Sequence, residues 1–140
     1  MPTIEIVGKP VAWQRARVNH QTRVHFKSVE MASWQRLVGL FARQAMAGTR
    51  PFSGPVSVDL LVLLLPPQSW SAKRRERAVG GYELPATRPD VDNYCKAILD
   101  ALNNIGYVDD AQVVFLHIAK RYGLENRVSV TWQEVVANGS

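Results

Sequence analysis

Between Arg88 and Gln112 the sequence reads RPDVDNYCKAILDALNNIGYVDDAQ, and it gathers Asp90, Asp92, Asp100, Asp109 and Asp110 around one lysine, Lys96. These are five of the twelve acidic residues of a chain whose formal net charge is +5, so the 90–110 stretch carries −4 and the remainder about +9. Carboxylates held together raise one another's pKa and oppose folding unless positive charge lies between them. A divalent cation removes that cost. Hard ions such as Mg²⁺ take oxygen ligands, typically one or two carboxylates together with water and substrate phosphate, and phosphate is what the basic remainder attracts. The residue types therefore point to metal-assisted chemistry on a polyanion.

Such a site needs elements to position it. From Val91 the apolar residues recur at 91, 95, 98, 99 and 102, one face of a helix running to Asn104. Asp92, Lys96 and Asp100 fall at i, i+4 and i+8 on another face. Asp90 and Asp92 stand at the helix N-terminus, where the dipole favours negative charge; capping accounts for one carboxylate without any metal. It does not account for Asp109 and Asp110, which follow the Gly106 turn at the entrance to the next strand. Cys95 lies on the apolar face and reads as core.

The rest of the chain supplies the frame. Thr3 to Val7 alternate as a strand, and a polar loop follows with Arg15, Arg17, Arg23 and Lys27, cations suited to phosphate or to solvent. Ser28 to Ala47 has helical spacing through Met31, Trp34, Val38, Phe41 and Ala45, with Ser28 as N-cap, Gly48 as stop and the two aromatics as core. Val56 to Leu65 becomes apolar on both faces from Leu60, as expected of a central strand covered on both sides. A short helix starting from Ser69 or Ser71 carries Lys73, Arg74, Arg75 and Arg77, the densest cationic run, suited to a solvated face or a polyanion contact alike. Gln112 to Arg121 and Arg127 to Val136 read as strands forming an antiparallel hairpin, with His117 and Trp132 as packing residues. The expected fold is a single α/β (α+β) domain spanning residues 1–140, of order β-α-β-α-α-β-β, with a mixed sheet flanked by helices.

Composition sets limits. At 140 residues one domain can bury a core without staples. The lone Cys95 excludes an intramolecular disulfide, which agrees with a reducing compartment. The N-terminus has no secretory pattern and the apolar run from Leu60 to Pro67 is too short to span a bilayer. A cytoplasmic protein is expected, with nucleic acid rather than a membrane as its acidic partner at pI 9.7.

The run TRPDVDNYCKAILDALN followed by GYVDDAQV resembles the RusA family of Holliday-junction resolvases, metal-dependent endonucleases of bacteria and their phages. The resemblance extends to GKPVAWQRARV, PQSWSAKRRERA and KRYG, and so covers most of the chain; its weight lies in D-x-D-N-x-x-K, D-A-L-N and D-D-x-Q-V occurring in order. It implies a RusA-like fold in which Asp90, Asp92 and Asp110 are the catalytic carboxylates and metal ligands, with Asp109 a further candidate ligand and Lys96 the essential lysine. It also implies Mg²⁺ as cofactor with Mn²⁺ as a substitute, a 5′-phosphate product, and a homodimer making paired cuts in a four-way DNA junction. Arg15, Arg17, Lys73, Arg74, Arg75, Arg77, Arg88 and Lys120 are the expected DNA contacts. Two departures, Arg88 where lysine is frequent and Ala16 where proline is common, bear on DNA grip rather than on the ligands. Two other classes fit the same residues, a branched-DNA-binding module without catalysis and a phosphohydrolase of small substrates. The EF-hand is set aside, since its turn glycine would fall on Cys95.

Overall fold

In the computed structural model, which describes residues 1–14, 17–18 and 25–137, the strand β4 (Val56–Leu64) organises the sheet. Val56, Val58, Leu60 and Val62 alternate along it and are all but fully buried, because side chains at every second position share one face. Antiparallel to β4 lies β6 (Arg127–Glu134), which contributes Val128, Val130 and Trp132 to the same face; β1 (Thr3–Val7) pairs with β6 and adds Ile4 and Ile6. On the other side of β4, β5 (Val113–Tyr122) runs parallel to it, giving the order β1-β6-β4-β5. Two helices close the core. α1 (Val29–Ala45) buries Met31, Trp34, Val38 and Ala42, and α3 (Val91–Ala101) buries Tyr94, Cys95, Ala97 and Ile98. α2 (Ala72–Val79) is strongly polar overall and buries Ala78 alone.

The single mixed-sheet α+β domain is as expected, and three details differ. The last two strands do not form a hairpin, because β4 lies between them. Their connection crosses the end of β4 and is held there: Gly123 N–H donates to Leu64 O at 3.0 Å and Leu65 N–H to Asn126 Oδ1 at 2.8 Å. A short loop between two strands therefore marks antiparallel direction without marking adjacency. The second face of β4 is not covered as expected; Ser57, Leu61 and Leu63 are half-buried and Asp59 is exposed. The polar segment expected to be loop contains a two-residue ladder, β2 (Arg17–Val18) with β3 (His25–Phe26), antiparallel.

One glycine fixes the turn below the site. A Cβ on Gly106 would stand 2.7 Å from Trp132 Nε1, so the chain passes too close to the buried indole for any side chain.

Candidate active site

α3 begins at Asp90, whose backbone takes the extended N-cap conformation while its carboxylate makes no bond to the helix. That is unusual beside the other starts, where Ser28 accepts from Met31 N–H and Ser71 from Arg74 N–H. An N-cap side chain normally satisfies one of the four unpaired amides of the first turn. At Asp90 the carboxylate is exposed and makes no cap. Asp92, in the first turn, is exposed as well, and among the described residues neither acid enters an ion pair. The two offer hard, unshared oxygen donors at a helix N-terminus, a donor set that fits Mg²⁺.

Lys96 is one turn on, also exposed, and its ammonium sits 4.0 Å over the ring of Trp13. The backbone of Trp13 docks on the same turn, donating to Asn93 O at 2.9 Å. Trp13 thus holds the start of α3 by its main chain and aims Lys96 by its ring. Reading the sequence did not single it out, although it stands in the GKPVAWQRARV run.

Lys120 was expected to hold DNA, yet its Nζ donates to Thr87 O at 2.5 Å and Pro89 O at 2.9 Å. It fastens the segment leading into α3 to β5. Asp100, two turns beyond Asp92, accepts from Lys27 Nζ at 2.8 Å and Gln35 Nε2 at 3.0 Å, tying α3 to α1. Cys95 lies beneath the site; burial first, then the charge of Asp92, pushes its thiol pKa up, so it stays protonated and inert.

Asp109 and Asp110 lie in the turn that leads into β5. Asp109 caps the 3-10 turn Asp110–Gln112, accepting from Ala111 N–H at 2.9 Å, while Gln112 returns its side-chain oxygen to Asp109 N–H at 2.8 Å. The Gln112 amide also donates to Phe52 O and Gly54 O, each at 2.8 Å, so one glutamine anchors the turn to the start of β4. Asp110 is exposed beside Tyr107, whose hydroxyl donates to Leu99 O at 2.6 Å; burial, and after it the charge of Asp110, raises the tyrosine's pKa. Asp110 lies in the turn before β5 begins at Val113, whereas Lys120, which holds Pro89 O beside Asp90, stands seven residues beyond Val113, about 23 Å along the strand at extended rise. Within one chain the expected convergence of three aspartates does not occur. Among the described residues no three His, Cys, Asp or Glu side chains stand together as a metal group.

The cations divide in the same way. Arg74 is occupied: Glu83 receives two hydrogen bonds from it, at 3.2 and 2.7 Å, and its guanidinium lies 3.5 Å over Trp70. That hydrogen bond raises the Arg74 pKa and lowers that of Glu83. Arg77 stands 5.2 Å over Tyr82, Arg75 is half-buried, and Lys73 and Arg88 are exposed. Arg15 and Arg23 lie outside the described residues, and of Arg17 only the backbone is described.

Among known proteins, the family model described as Endodeoxyribonuclease RusA matches residues 7–133. An uncharacterized protein of Bacillus subtilis (strain 168), YqaN, is 40% identical over 136 residues, an alignment covering 94% of this chain and 95% of that protein. Among the described residues no helix is long and apolar enough to cross a membrane.

Proposed function

Because the chain belongs to the RusA endodeoxyribonuclease family, we propose that it is a Mg²⁺-dependent endonuclease that resolves four-way DNA junctions by paired symmetric incisions, acting as a homodimer. The observation that carries the reading is the start of α3, where Asp90 makes no cap and, among the described residues, neither it nor Asp92 enters an ion pair, both carboxylates being exposed beside an exposed lysine. A helix start normally uses such groups for its own stability. Asp90 and Asp92 would bind the ion, and Mn²⁺ would substitute for it. When bound, Mg²⁺ supplies Lewis-acid polarisation of the scissile phosphate and a more acidic water. Lys96, held by Trp13, orients the attacking water or offsets the negative charge that builds on the phosphate, work done by a pre-placed cation without reorganisation. Lys73, Arg77 and Arg88, exposed and outside the ion pairs found among the described residues, hold the DNA backbone.

Asp110 joins this site from a second copy. β5 is an edge strand with Val114, Phe115 and Leu116 exposed at 55%, 63% and 46%, an apolar edge that isolated chains rarely leave open. Antiparallel pairing of two β5 strands about a two-fold axis sets the beginning of one against the end of the other. Asp110 of one copy then lies at the level of Lys120 in its partner, where Asp90 and Asp92 are. Two composite sites result, as two opposed cuts require.

The test is incision of a synthetic four-way junction with mapping on all four strands. Mg²⁺-dependent, symmetric nicks that vanish with EDTA and in Asp92→Asn are expected; an Asp92→Asn protein that cuts normally contradicts the assignment. Turnover of a small phosphorylated substrate that excess junction DNA does not inhibit would instead favour the phosphohydrolase.

A further inference from the structure

We propose that Lys120 is a positioning residue for the carboxylate pair, replacing the missing cap of α3 by a tether from β5; the inference rests on the site proposed above. In the described starts of α1, α2 and the 3-10 turn, a side chain of the N-cap residue itself bonds a following amide: Ser28 to Met31 N–H, Ser71 to Arg74 N–H, Asp109 to Ala111 N–H. α3 alone among them lacks that bond, although Asp90 is a residue type well suited to make it. Its first backbone bonds are correspondingly long, Asn93 N–H and Tyr94 N–H reaching Asp90 O at 3.2 and 3.4 Å.

What holds this turn comes from elsewhere in the fold. The Lys120 ammonium bridges Thr87 O and Pro89 O, the carbonyls immediately ahead of Asp90, and Trp13 N–H holds Asn93 O on the far side. An ammonium has three donors and no acceptor, so two carbonyls occupy most of its capacity and leave little for a phosphate. The consequence is a division of labour: Lys120 fixes where the helix begins, and the Asp90 carboxylate keeps its oxygens for a cation. Without the tether the first turn of α3, held by long bonds to Asp90 O, is free to fray, and the Asp90 and Asp92 carboxylates lose their fixed relation to one another. Groups that orient ligands in this way typically cost 10–100-fold in metal affinity or activity when removed.

The experiment compares wild type with Lys120→Ala and Lys120→Gln. In the metal-free proteins, amide hydrogen exchange at Asp92 to Cys95 is expected to accelerate in Lys120→Ala while α1 and β4 exchange as before, a local opening rather than a global one. Lys120→Gln, which keeps amide donors without the charge, recovers part of the protection. Junction affinity in EDTA stays near the wild-type value, and the Mg²⁺ concentration that half-saturates cleavage rises by about tenfold or more. Unchanged exchange in the first turn of α3 overturns the proposal. So does a fall in junction affinity accompanied by a salt slope lower by about one, the signature of a lost phosphate contact. If Lys120→Ala does not fold, Lys120→Gln decides by the same exchange measurement. Failure of the wild type to cut any junction counts against the proposed activity, and the exchange readout stands apart from it.

Discussion

Asp90 and Asp109 are the same residue type at the same N-cap position, nineteen residues apart, and the fold uses them in opposite ways. Asp109 closes a capping box with Gln112 and is consumed by local structure. Asp90 makes no cap, and the turn it opens is held by Lys120 and Trp13 instead. The difference teaches that a carboxylate becomes available for chemistry when something remote takes over its structural duty. It also separates the D-D pair: the Asp109 carboxylate is taken up by its own turn, whereas that of Asp110, beside it, is exposed.

The largest effect expected from this contrast is at the uncapped turn. Asp92→Asn and Asp90→Asn lower the cleavage rate by on the order of 10²–10³ or more, as loss of a key electrostatic group does, with no fall in thermal midpoint. Asp109→Ala does the reverse, keeping most of the cleavage while losing about 1 kcal/mol of stability to the missing cap. Equal loss of cleavage in Asp109→Ala with an unchanged midpoint would erase the contrast. Next comes the β5 edge, on which the proposed sharing of Asp110 between copies depends. Phe115→Asp is expected to yield a folded monomer by sedimentation, with cleavage at background and near-wild-type circular dichroism; a fully active monomer breaks the composite site.

Gln112→Ala should destabilise by about 1–3 kcal/mol, since it removes the side-chain donor to Gly54 O and one of the two donors to Phe52 O, the other being Val108 N–H, measured by denaturant midpoint. The smallest effect is at α2. Glu83→Ala releases Arg74 from its two hydrogen bonds, and junction binding should tighten a few-fold with a slightly steeper salt dependence. Weaker binding in that variant would mean that the Arg74–Glu83 pair shapes the DNA surface rather than masking it.

Much of this was legible in the chain. The period of Met31, Trp34 and Val38 marked α1, and the alternation in Thr3–Val7 and Arg127–Val136 marked strands, because burial on one face writes a regular pattern. Adjacency in the sheet was not legible. A four-residue connection such as Gly123–Asn126 looks the same whether it joins neighbours or crosses the end of β4, and the choice is made by long-range pairing. The acidic island announced a site through residue type and spacing, yet the commitment of each acid did not show. Asp90 and Asp109 differ only in whether Lys120 or Gln112 reaches the turn. Lys120 itself looked like a phosphate contact, since a lysine in a strand carries no sign of the carbonyls it will meet. Arg74 likewise reads in the sequence as one cation of a run, and only the fold brings Glu83, nine residues on, against it.

The central claim is that each site is built from Asp90 and Asp92 of one subunit and Asp110 of the other, and mixed dimers test it directly. Asp92→Asn and Asp110→Asn chains carrying different tags are co-expressed, the heterodimer is purified through both tags, and nicking of a four-way junction in Mg²⁺ is measured. A shared arrangement places both substitutions in one site and leaves the other intact, so the mixed dimer should regain single-strand nicking that neither parent shows. A mixed dimer as inactive as its parents would mean that each chain assembles its aspartates alone, and the shared site would be wrong.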